Sequence, residues 1–280
     1  MQDALPGFGI VYFRLFRSKI CLTSTCRRGI KGALHMKRLT TLTAALVLSA
    51  CGGGAGDGTT TTPTTTASAE GFWVGTTDKG TTVNLAILEN GETWGLYGNS
   101  SSLTGAVYGM TSTNGTSLSG SGYGFDFVTR TSGSGTYTGN VTTKDRISMN
   151  VSDGTILAGT YDASYELPAS VASVAGIYTG WAVTGSIAPQ ATTVIVDVNG
   201  NISSSFVSGN LTCTTSGTAT PRASGKNIFN LQLNFTGNSC ALGNGTVVNG
   251  VATYDSVNRQ LIVMGLNSAK SDGLIYLGTR

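Results

Sequence analysis

Few side chains of this 280-residue sequence could do nucleophilic or acid–base chemistry. The one histidine, His35, lies near the N-terminus, so residues 36–280 contain no imidazole to act as a general base or a zinc ligand. Catalytic sites of the Ser-His-Asp or Cys-His kind are therefore excluded from this part of the chain.

The carboxylates do not form a recognisable site in the sequence. Asp153 and Asp272 each precede glycine, a pair typical of turns, and no Asp-x-Asp-x-Asp-Gly calcium loop occurs. We therefore predict no metal, no cofactor and no enzymatic activity. A glycosidase-type carboxylate pair assembled through space is the enzymatic alternative that the sequence leaves open.

Two cysteines in the C-terminal part predict a structural cross-link. Cys213 and Cys240 are the only cysteines that follow Cys51 in the sequence, and two thiols in an exported chain favour a disulfide. A redox-active pair would need close spacing, as in Cys-x-x-Cys, and a nearby base. Neither is present.

Cys51 follows a segment with the layout of an export signal. Lys37 and Arg38 precede an apolar stretch, residues 39–48, which is far shorter than the roughly 20 residues of a membrane-spanning helix. The sequence Leu48-Ser49-Ala50-Cys51 resembles the lipobox of bacterial lipoproteins. That resemblance implies that residues 36–50 are a removed signal peptide and that Cys51 becomes the lipidated first residue. Because a small residue rather than aspartate follows Cys51, it also implies an outer-membrane location.

The charge of the chain changes when the segment before Cys51 is set aside. Residues 1–35 precede a complete export signal, and we interpret them as an upstream extension from a wrongly assigned start. Eight of the 17 Lys and Arg residues but only one of the 14 Asp and Glu residues lie in residues 1–50, which leaves nine basic against thirteen acidic residues, a net charge of −4. A mildly acidic chain without a basic cluster argues against nucleic acid as a partner.

The remaining sequence predicts a flexible tether followed by β structure. Residues 51–69 are rich in Gly and Thr, with too few apolar side chains to bury a core, and we interpret them as a linker. Beyond it, short Thr- and Val-rich runs flank Asn90-Gly91 and Asn199-Gly200, which predicts β-hairpins with tight turns. No stretch shows a helical period.

An internal duplication divides this β region in two. Glu70-Gly71-Phe72-Trp73-Val74-Gly75 matches Ala175-Gly176-Ile177-Tyr178-Thr179-Gly180, and each is followed by a Thr-Thr-Val strand and an Asn-Gly turn. We predict an all-β protein with two tandem antiparallel domains, at residues 70–168 and 169–280. Each is a small barrel or a sandwich, and a glycine-flanked aromatic strand at the end of each repeat favours closure into a barrel.

The aromatic side chains of the first repeat have two interpretations. As alternating strand residues they are predicted to fill a barrel core, and the aromatic face of the run from Tyr123 to Phe127 fits that role. If some line an open lumen instead, they would bind an apolar ligand or a sugar. The candidate ligand-binding residues are Trp73, Trp94, Tyr97 and Tyr123.

Two loops hold much of the basic charge of the second repeat. Residues 220–227 carry Arg222 and Lys226, and residues 266–273 carry Lys270. We expect ordinary solvated turns; the alternative is a shared cationic patch at one end of the domain.

Taken together, these features predict a non-enzymatic outer-membrane lipoprotein. The loop Pro221-Arg222-Ala223-Ser224-Gly225 and the segment Leu266-Asn267-Ser268-Ala269 are similar to those of two-repeat, Gly/Thr-rich bacterial lipoproteins of unassigned activity. That resemblance supports location and duplicated architecture, and no catalytic residues. The expected partners are the membrane, through Cys51, and an envelope protein or glycan, with the chain acting as an interaction or structural module. The alternative is a small barrel that carries an apolar or glycan ligand.

Overall fold

The computed structural model describes residues 66–208 and 211–280, which form two tandem antiparallel β-barrels within one compact unit. Each barrel has eight strands in sequential order, and its last strand pairs with its first. The prediction of an all-β protein with two duplicated domains is confirmed, and both domains are closed barrels rather than sandwiches. Cys51, the signal peptide and residues 51–65 of the linker lie outside the described residues.

The strands of the first barrel are β1 (Gly71–Thr77), β2 (Thr82–Ile87), β3 (Glu92–Gly98), β4 (Leu103–Asn114), β5 (Ser117–Asp126), β6 (Thr131–Thr142), β7 (Arg146–Val151) and β8 (Ile156–Asp162). A 3₁₀-helix (Ala163–Glu166) and the one-turn helix α1 (Val171–Val174) connect the barrels. The strands of the second barrel are β9 (Gly176–Thr184), β10 (Gln190–Val196), β11 (Asn201–Ser208), β12 (Leu211–Pro221), β13 (Phe229–Thr236), β14 (Val247–Asp255), β15 (Gln260–Asn267) and β16 (Gly273–Thr279). Among the described helices, none is long and apolar enough to cross a membrane.

Glycines allow both the tight turns of the barrels and their seams, the places where the first and last strands of each barrel pair. In the predicted Asn-Gly turns, Gly91 and Gly200 have φ of 83° and 84°, a conformation that side chains with a Cβ rarely adopt. At the seams, a Cβ on Gly75 or Gly180 would lie 2.2 Å or 2.0 Å from a backbone oxygen of the last strand of its own barrel. Gly75 and Gly180 are matching positions of the two repeats, so the duplication preserves the residue that lets first and last strands approach.

Each barrel is closed at one end by the chain segment that enters it. Before β1, the Ala67 amide donates to the Gly115 carbonyl (2.7 Å), and the buried Trp73 indole Nε1–H donates to the Ala69 carbonyl (2.8 Å). In the second barrel, α1 takes the same place, and the Tyr178 hydroxyl donates to the Val174 carbonyl (2.8 Å). Trp73 and Tyr178 occupy matching positions in the repeats, so both closed ends have an aromatic residue bonded to a carbonyl four residues earlier.

The two barrels pack against each other through apolar outer faces. One buried cluster contains side chains from both barrels, which places those side chains outside both lumens. We call it the inter-barrel cluster; it includes Phe72, Trp94, Leu96, Ala106, Val183, Val251, Ile262, Met264 and Leu277. Two separate clusters lie in the lumens, one in each barrel. Strands at the interface are therefore apolar on both faces, as shown by β15, in which all residues from Gln260 to Leu266 are buried.

The structure corrects the assignment of several aromatic side chains to a barrel core. Tyr123 and Phe125 do share one face of β5 as predicted, but that face points away from the lumen. Phe125 and Phe127 pack against the inter-barrel cluster, and Tyr123 is 47% exposed. Leu118 and three glycines, rather than aromatic residues, occupy inward positions of this strand.

Candidate functional site

The first barrel contains an open cavity of about 560 Å³. Its deeper wall is apolar, with side chains such as Val83, Leu85 and Met149. It reaches the end of the barrel opposite the plug, the segment before β1 that closes the barrel beside Trp73. Lys79, Asp126 and Asp153 lie at the rim, in or beside the turns of that end. An eight-stranded barrel has room for one small ligand when side chains do not fill it.

Glycines account for the empty space. Gly124 on β5 pairs with Gly133 on β6, and both line the cavity. A Cβ built on either residue would meet no atom within 4 Å. The wall of β5 and β6 is therefore bare backbone at this height, and the lumen that side chains would otherwise fill stays open.

Two tyrosines lie across glycines of neighbouring strands in the same lumen. A Cβ on Gly105 would lie 2.1 Å from the Tyr97 ring, and one on Gly120 would lie 2.3 Å from the Tyr137 ring. The Tyr97 hydroxyl donates to the Phe125 carbonyl (3.1 Å), and the Tyr137 hydroxyl donates to the Met110 carbonyl (3.1 Å). These bonds hold both rings against the barrel wall, over the glycines of the neighbouring strands, so that the rings border the cavity instead of crossing it.

Burial and the nearby Asp126 carboxylate raise the pKa of Tyr97 to about 12. The phenol is therefore neutral and acts as a hydrogen-bond donor across the physiological pH range.

The four candidate ligand-binding residues fall into two groups. Tyr97 borders the cavity from the lumen, whereas Tyr123, next to Gly124, belongs to the cavity wall but is 47% exposed, with its side chain on the outer face of β5. Trp73 is buried in the plug at the closed end. Trp94 is buried in the inter-barrel cluster, where its ring meets Tyr108 edge-on at 4.7 Å and its Nε1–H donates to Glu92 (3.2 Å). Sequence reasoning did not identify Tyr137, Gly124 or Gly133 as site residues.

The signal for this cavity was present in the sequence. Glycine recurs at every second position from Gly120 to Gly124 and again at Gly133 and Gly135. Because alternate strand residues share a face, this period places the glycines on one side of each strand. A glycine-lined face in a closed barrel predicts a hollow lumen. The aromatic residues that alternate with these glycines lie on the opposite face of the strand and do not line it.

Comparison with known proteins gives no relative from which a ligand could be inferred. No protein-family model, curated protein or solved structure matches this chain.

The carboxylates of Asp126 and Asp153 at the rim accept hydrogen bonds from backbone amides of their own turns. Asp126 Oδ1 accepts from the amides of Val128 (2.9 Å) and Thr129 (2.7 Å), and Asp153 Oδ1 accepts from the Thr155 amide (2.8 Å). That backbone hydrogen bond from Thr155 lowers the pKa of Asp153. A glycosidase acid requires a raised pKa, so Asp153 is unsuited to that role. Among the described residues, no group of three or more His, Cys, Asp or Glu side chains is placed to hold a metal ion.

The basic loops of the second repeat contact the first barrel. Arg222, whose side chain is 13% exposed, pairs with Glu89 (2.6 Å), and Lys226 pairs with Glu166 (2.6 Å). Lys270 donates to the Tyr108 hydroxyl (3.0 Å) and lies over its ring. The expectation of solvated turns is wrong for Arg222 and Lys226, whose side chains are only 13% and 30% exposed, whereas Lys270 is exposed as expected. The alternative of a shared patch is not supported, because each cation has a partner within the molecule.

The predicted disulfide is confirmed, since Cys213 on β12 is bonded to Cys240 in the β13–β14 loop. Both cysteines belong to the core cluster of the second barrel, and Cys213 borders a second, smaller cavity in its lumen.

Proposed function

We propose that this chain is an exported, lipid-anchored envelope protein whose first barrel binds one small amphipathic ligand in its lumen. The observation that carries the ligand-binding role is the open cavity of about 560 Å³, bordered by the Tyr97 and Tyr137 rings and by bare glycine backbone. An apolar lower wall and a polar, charged rim suit a molecule with an apolar body and a polar end. The lipobox-like sequence at Cys51 supports the anchor.

The positions of the closed and open ends of the first barrel also fit a tethered carrier. The described residues begin at Thr66, and the chain enters the barrel at its closed end. There the Ala67 amide donates a hydrogen bond to Gly115, and the Ala69 carbonyl accepts one from Trp73. The cavity opens at the opposite end, beside Lys79 and Asp153. A tether that leads to the closed end leaves the mouth accessible.

Filling the cavity tests the ligand-binding role. Gly133→Val places a side chain in open lumen without a steric clash and on a residue type that favours strands, so the variant is expected to fold at least as stably as wild type. The matched control is Ser132→Val on the exposed outer face of the same strand.

The measurement is a native mass spectrum of protein captured from envelope extract, together with titration by the fluorescent probe N-phenyl-1-naphthylamine. We expect a small-molecule adduct and probe binding for wild type and Ser132→Val, with at least a tenfold loss for Gly133→Val. Equal binding by both variants, or no adduct and no probe binding in wild type, would contradict the proposal.

The anchor has its own test. Cys51→Ala removes the thiol that would be acylated, and stable membrane attachment needs more than one acyl chain or an equivalent second signal. We expect the variant to move from the membrane to the soluble fraction after cell lysis. If Cys51→Ala remained in the membrane fraction, the proposed lipid anchor would be contradicted.

A second candidate function is the protein-interaction module. The outer faces of β4, β5 and β6 border a groove of about 490 Å³ that includes the exposed Met110 and Tyr123 side chains. Exposed apolar groups beside polar ones are typical of an interaction surface. A clean unliganded mass accompanied by a stoichiometric partner protein in the same spectrum would favour this function over the carrier.

A further inference from the structure

The edge of β6 that faces β7 is only partly paired. Residues 131–140 of β6 pair with β5, whereas only residues 137–142 pair with β7. The ladder with β7 ends where the Ser152 amide donates to the Thr136 carbonyl (2.8 Å), at the start of the turn into β8. Residues 131–135 therefore extend past β7, and no strand in the described part of the chain pairs with this edge of them, which we call the free edge.

The free edge presents four main-chain groups. Both main-chain groups of Thr136 point toward β7, because its amide donates to Ser152 Oγ (3.1 Å) and its carbonyl accepts from the Ser152 amide. Alternate residues of a strand direct these groups to the same side. The amides and carbonyls of Ser132 and Ser134 therefore point outward from the free edge, and no described residue bonds to them there. Such a row of donors and acceptors matches an extended main chain.

The free edge lacks the usual protection of an unpaired strand. Exposed edges are normally shielded by charged side chains, prolines or bulges. Residues 131–135 read Thr-Ser-Gly-Ser-Gly, and the first four of them are exposed. A strand added here would continue the ladder that β7 already makes with β6. The free edge is therefore accessible to another extended chain.

The inner cavity and the outer groove of the first barrel meet at the free edge. Ser134, Gly135 and Ser152 border both the cavity of about 560 Å³ and the groove of about 490 Å³. Successive side chains of a strand point to opposite faces of a sheet. An added strand would therefore direct alternate side chains into the cavity and toward the groove.

Gly133 indicates which kind of side chain enters the cavity. Directly opposite residues of an antiparallel pair share a face, so the residue opposite Gly133 points into the lumen. Elsewhere in this lumen, the Tyr97 ring lies over its partner Gly105. The Tyr137 ring lies over its partner Gly120 in the same way. Gly133 offers the same bare backbone beside open space, so an aromatic side chain opposite it would repeat this packing.

The two ends of the free edge carry opposite charges. Arg130 lies in the turn directly before β6, and Asp153 lies directly after Ser152, where the ladder with β7 ends. Both residues are exposed, and Arg130 forms no ion pair with a described residue. The nearby Lys79 ammonium donates to the Thr155 hydroxyl (2.7 Å). A strand antiparallel to β6 starts beside Asp153 and ends beside Arg130, so the ammonium and carboxylate ends of a short free peptide match these charges.

We propose that the free edge binds a short free peptide as an added strand antiparallel to β6, with an aromatic side chain opposite Gly133 inserted into the lumen. The edge is about 17 Å long at about 3.4 Å per residue, which suits a peptide of about five residues. Main-chain bonds to Ser132 and Ser134 supply affinity, and the aromatic side chain supplies selectivity. This inference rests on the ligand-binding role proposed above for the same cavity and names the class of its ligand.

The first test measures binding of the pentapeptide Ser-Thr-Tyr-Thr-Ser, with free ends, to the full mature chain by calorimetry and amide NMR. With its tyrosine opposite Gly133, the amides of its two threonines face the free edge. N-methylation of both threonines should weaken binding about tenfold or more, whereas N-methylation of the tyrosine, whose amide points away, should change it less than about twofold. We expect the amide signals of Ser132 and Ser134 to shift. Equal affinities of the two methylated peptides, or no binding of the parent peptide, would overturn the proposal.

A second test separates this inference from the ligand-binding role of the lumen. The pentapeptide should displace N-phenyl-1-naphthylamine, because its ring enters the same cavity, and an alanine in place of its tyrosine should weaken this competition about tenfold. Probe binding that the pentapeptide does not displace would overturn the peptide assignment while the ligand-binding role stands. Absence of both kinds of binding would contradict both proposals.

A third test examines the charged ends. Arg130→Gln should weaken binding of the free-ended pentapeptide about twofold to fivefold, the effect of one exposed ion pair, and leave binding of its C-terminal amide unchanged. The control is Arg146→Gln, at a 76% exposed arginine of the opposite end of the barrel, which should bind both peptides as wild type does. Equal losses for both peptides in Arg130→Gln would overturn the antiparallel orientation. A dimer in the native mass spectrum that the pentapeptide does not dissociate would show that a second copy covers the free edge, and would also overturn the proposal.

Discussion

At the scale of single residues, the Glu166 carboxylate of the 3₁₀-helix connects elements of both barrels. Its carboxylate accepts from the Tyr161 hydroxyl (2.5 Å), Lys144 (2.8 Å) and Lys226 (2.6 Å). Hydrogen bonds from Lys144, Lys226 and Tyr161, in that order, lower the pKa of Glu166 to about 2. One side chain thus links the 3₁₀-helix to two turns that belong to different barrels.

The lowered pKa predicts how stability depends on pH. A carboxyl group with a depressed pKa in the folded state stabilises that state above its ordinary pKa of about 4.5, and this contribution is lost as the pH falls toward about 2. We expect the urea midpoint of wild type to fall more steeply than that of Glu166→Gln between pH 5 and pH 2. The difference will be modest, because the Lys144 side chain is 55% exposed and solvent screens the pair. Parallel pH profiles for the two proteins would refute this role.

At the scale of elements, alternate residues divide each strand between two environments. In β13, the inward residues Phe229, Leu231, Leu233 and Phe235 are buried and the residues between them are exposed, which is the ordinary pattern. In β5, Leu118 and the glycines at positions 120, 122 and 124 point inward, and the aromatic side chains point outward. The same strand geometry therefore gives a largely filled lumen in one barrel and an open lumen in the other.

The disulfide constrains the β13–β14 loop. It closes a segment with a sequence separation of 27 residues, for which chain entropy predicts a stabilisation of about 3–4 kcal/mol. We expect the double variant Cys213→Ala/Cys240→Ala to lose about that much free energy of unfolding and to become insensitive to dithiothreitol. Wild type treated with dithiothreitol is the control and should unfold at nearly the same denaturant concentration as the variant. An unchanged midpoint in the variant would contradict the prediction.

At the scale of the whole molecule, the barrels form one body because their outer faces are complementary. The inter-barrel cluster supplies buried apolar area, and the ion pair of Arg222 with Glu89 lies at its edge. Asn227 adds hydrogen bonds from its side-chain amide to the carbonyls of Ser164 (3.3 Å) and Tyr254 (3.0 Å). These contacts explain why Trp94 and the basic loops are unavailable to a ligand.

A charge in the inter-barrel cluster should separate the barrels. Ile262 is 2% exposed, so Ile262→Glu buries an unpaired carboxylate, at a cost of about 3–5 kcal/mol if the interface does not open. We expect small-angle X-ray scattering to show a larger radius of gyration and limited proteolysis to cut within residues 163–175. Ile195→Glu, at an outward isoleucine that is 44% exposed, is the control and should behave as wild type. Equal proteolysis of both variants would argue against the interface.

Much of the fold followed from local chemistry in the sequence. Asn90-Gly91 and Asn199-Gly200 predicted hairpins because few other residue pairs accept their backbone conformation, and the repeated Gly-aromatic motif showed the duplication. The disulfide was predicted from the two cysteines after Cys51 and from the predicted export signal. Each of these inferences concerns a backbone constraint or a covalent bond, which a short stretch of residues determines on its own.

The tertiary structure decided which face of each strand is inside. A period of two shows that Tyr123 and Phe125 share a face, but it does not distinguish a lumen from an outer surface that a second barrel covers, because both bury apolar groups. Trp94 belongs to such an outer surface, and Arg222 finds its carboxylate 133 residues away in sequence. Burial and pairing depend on how the two barrels pack, and only three-dimensional contacts between distant segments determine that packing.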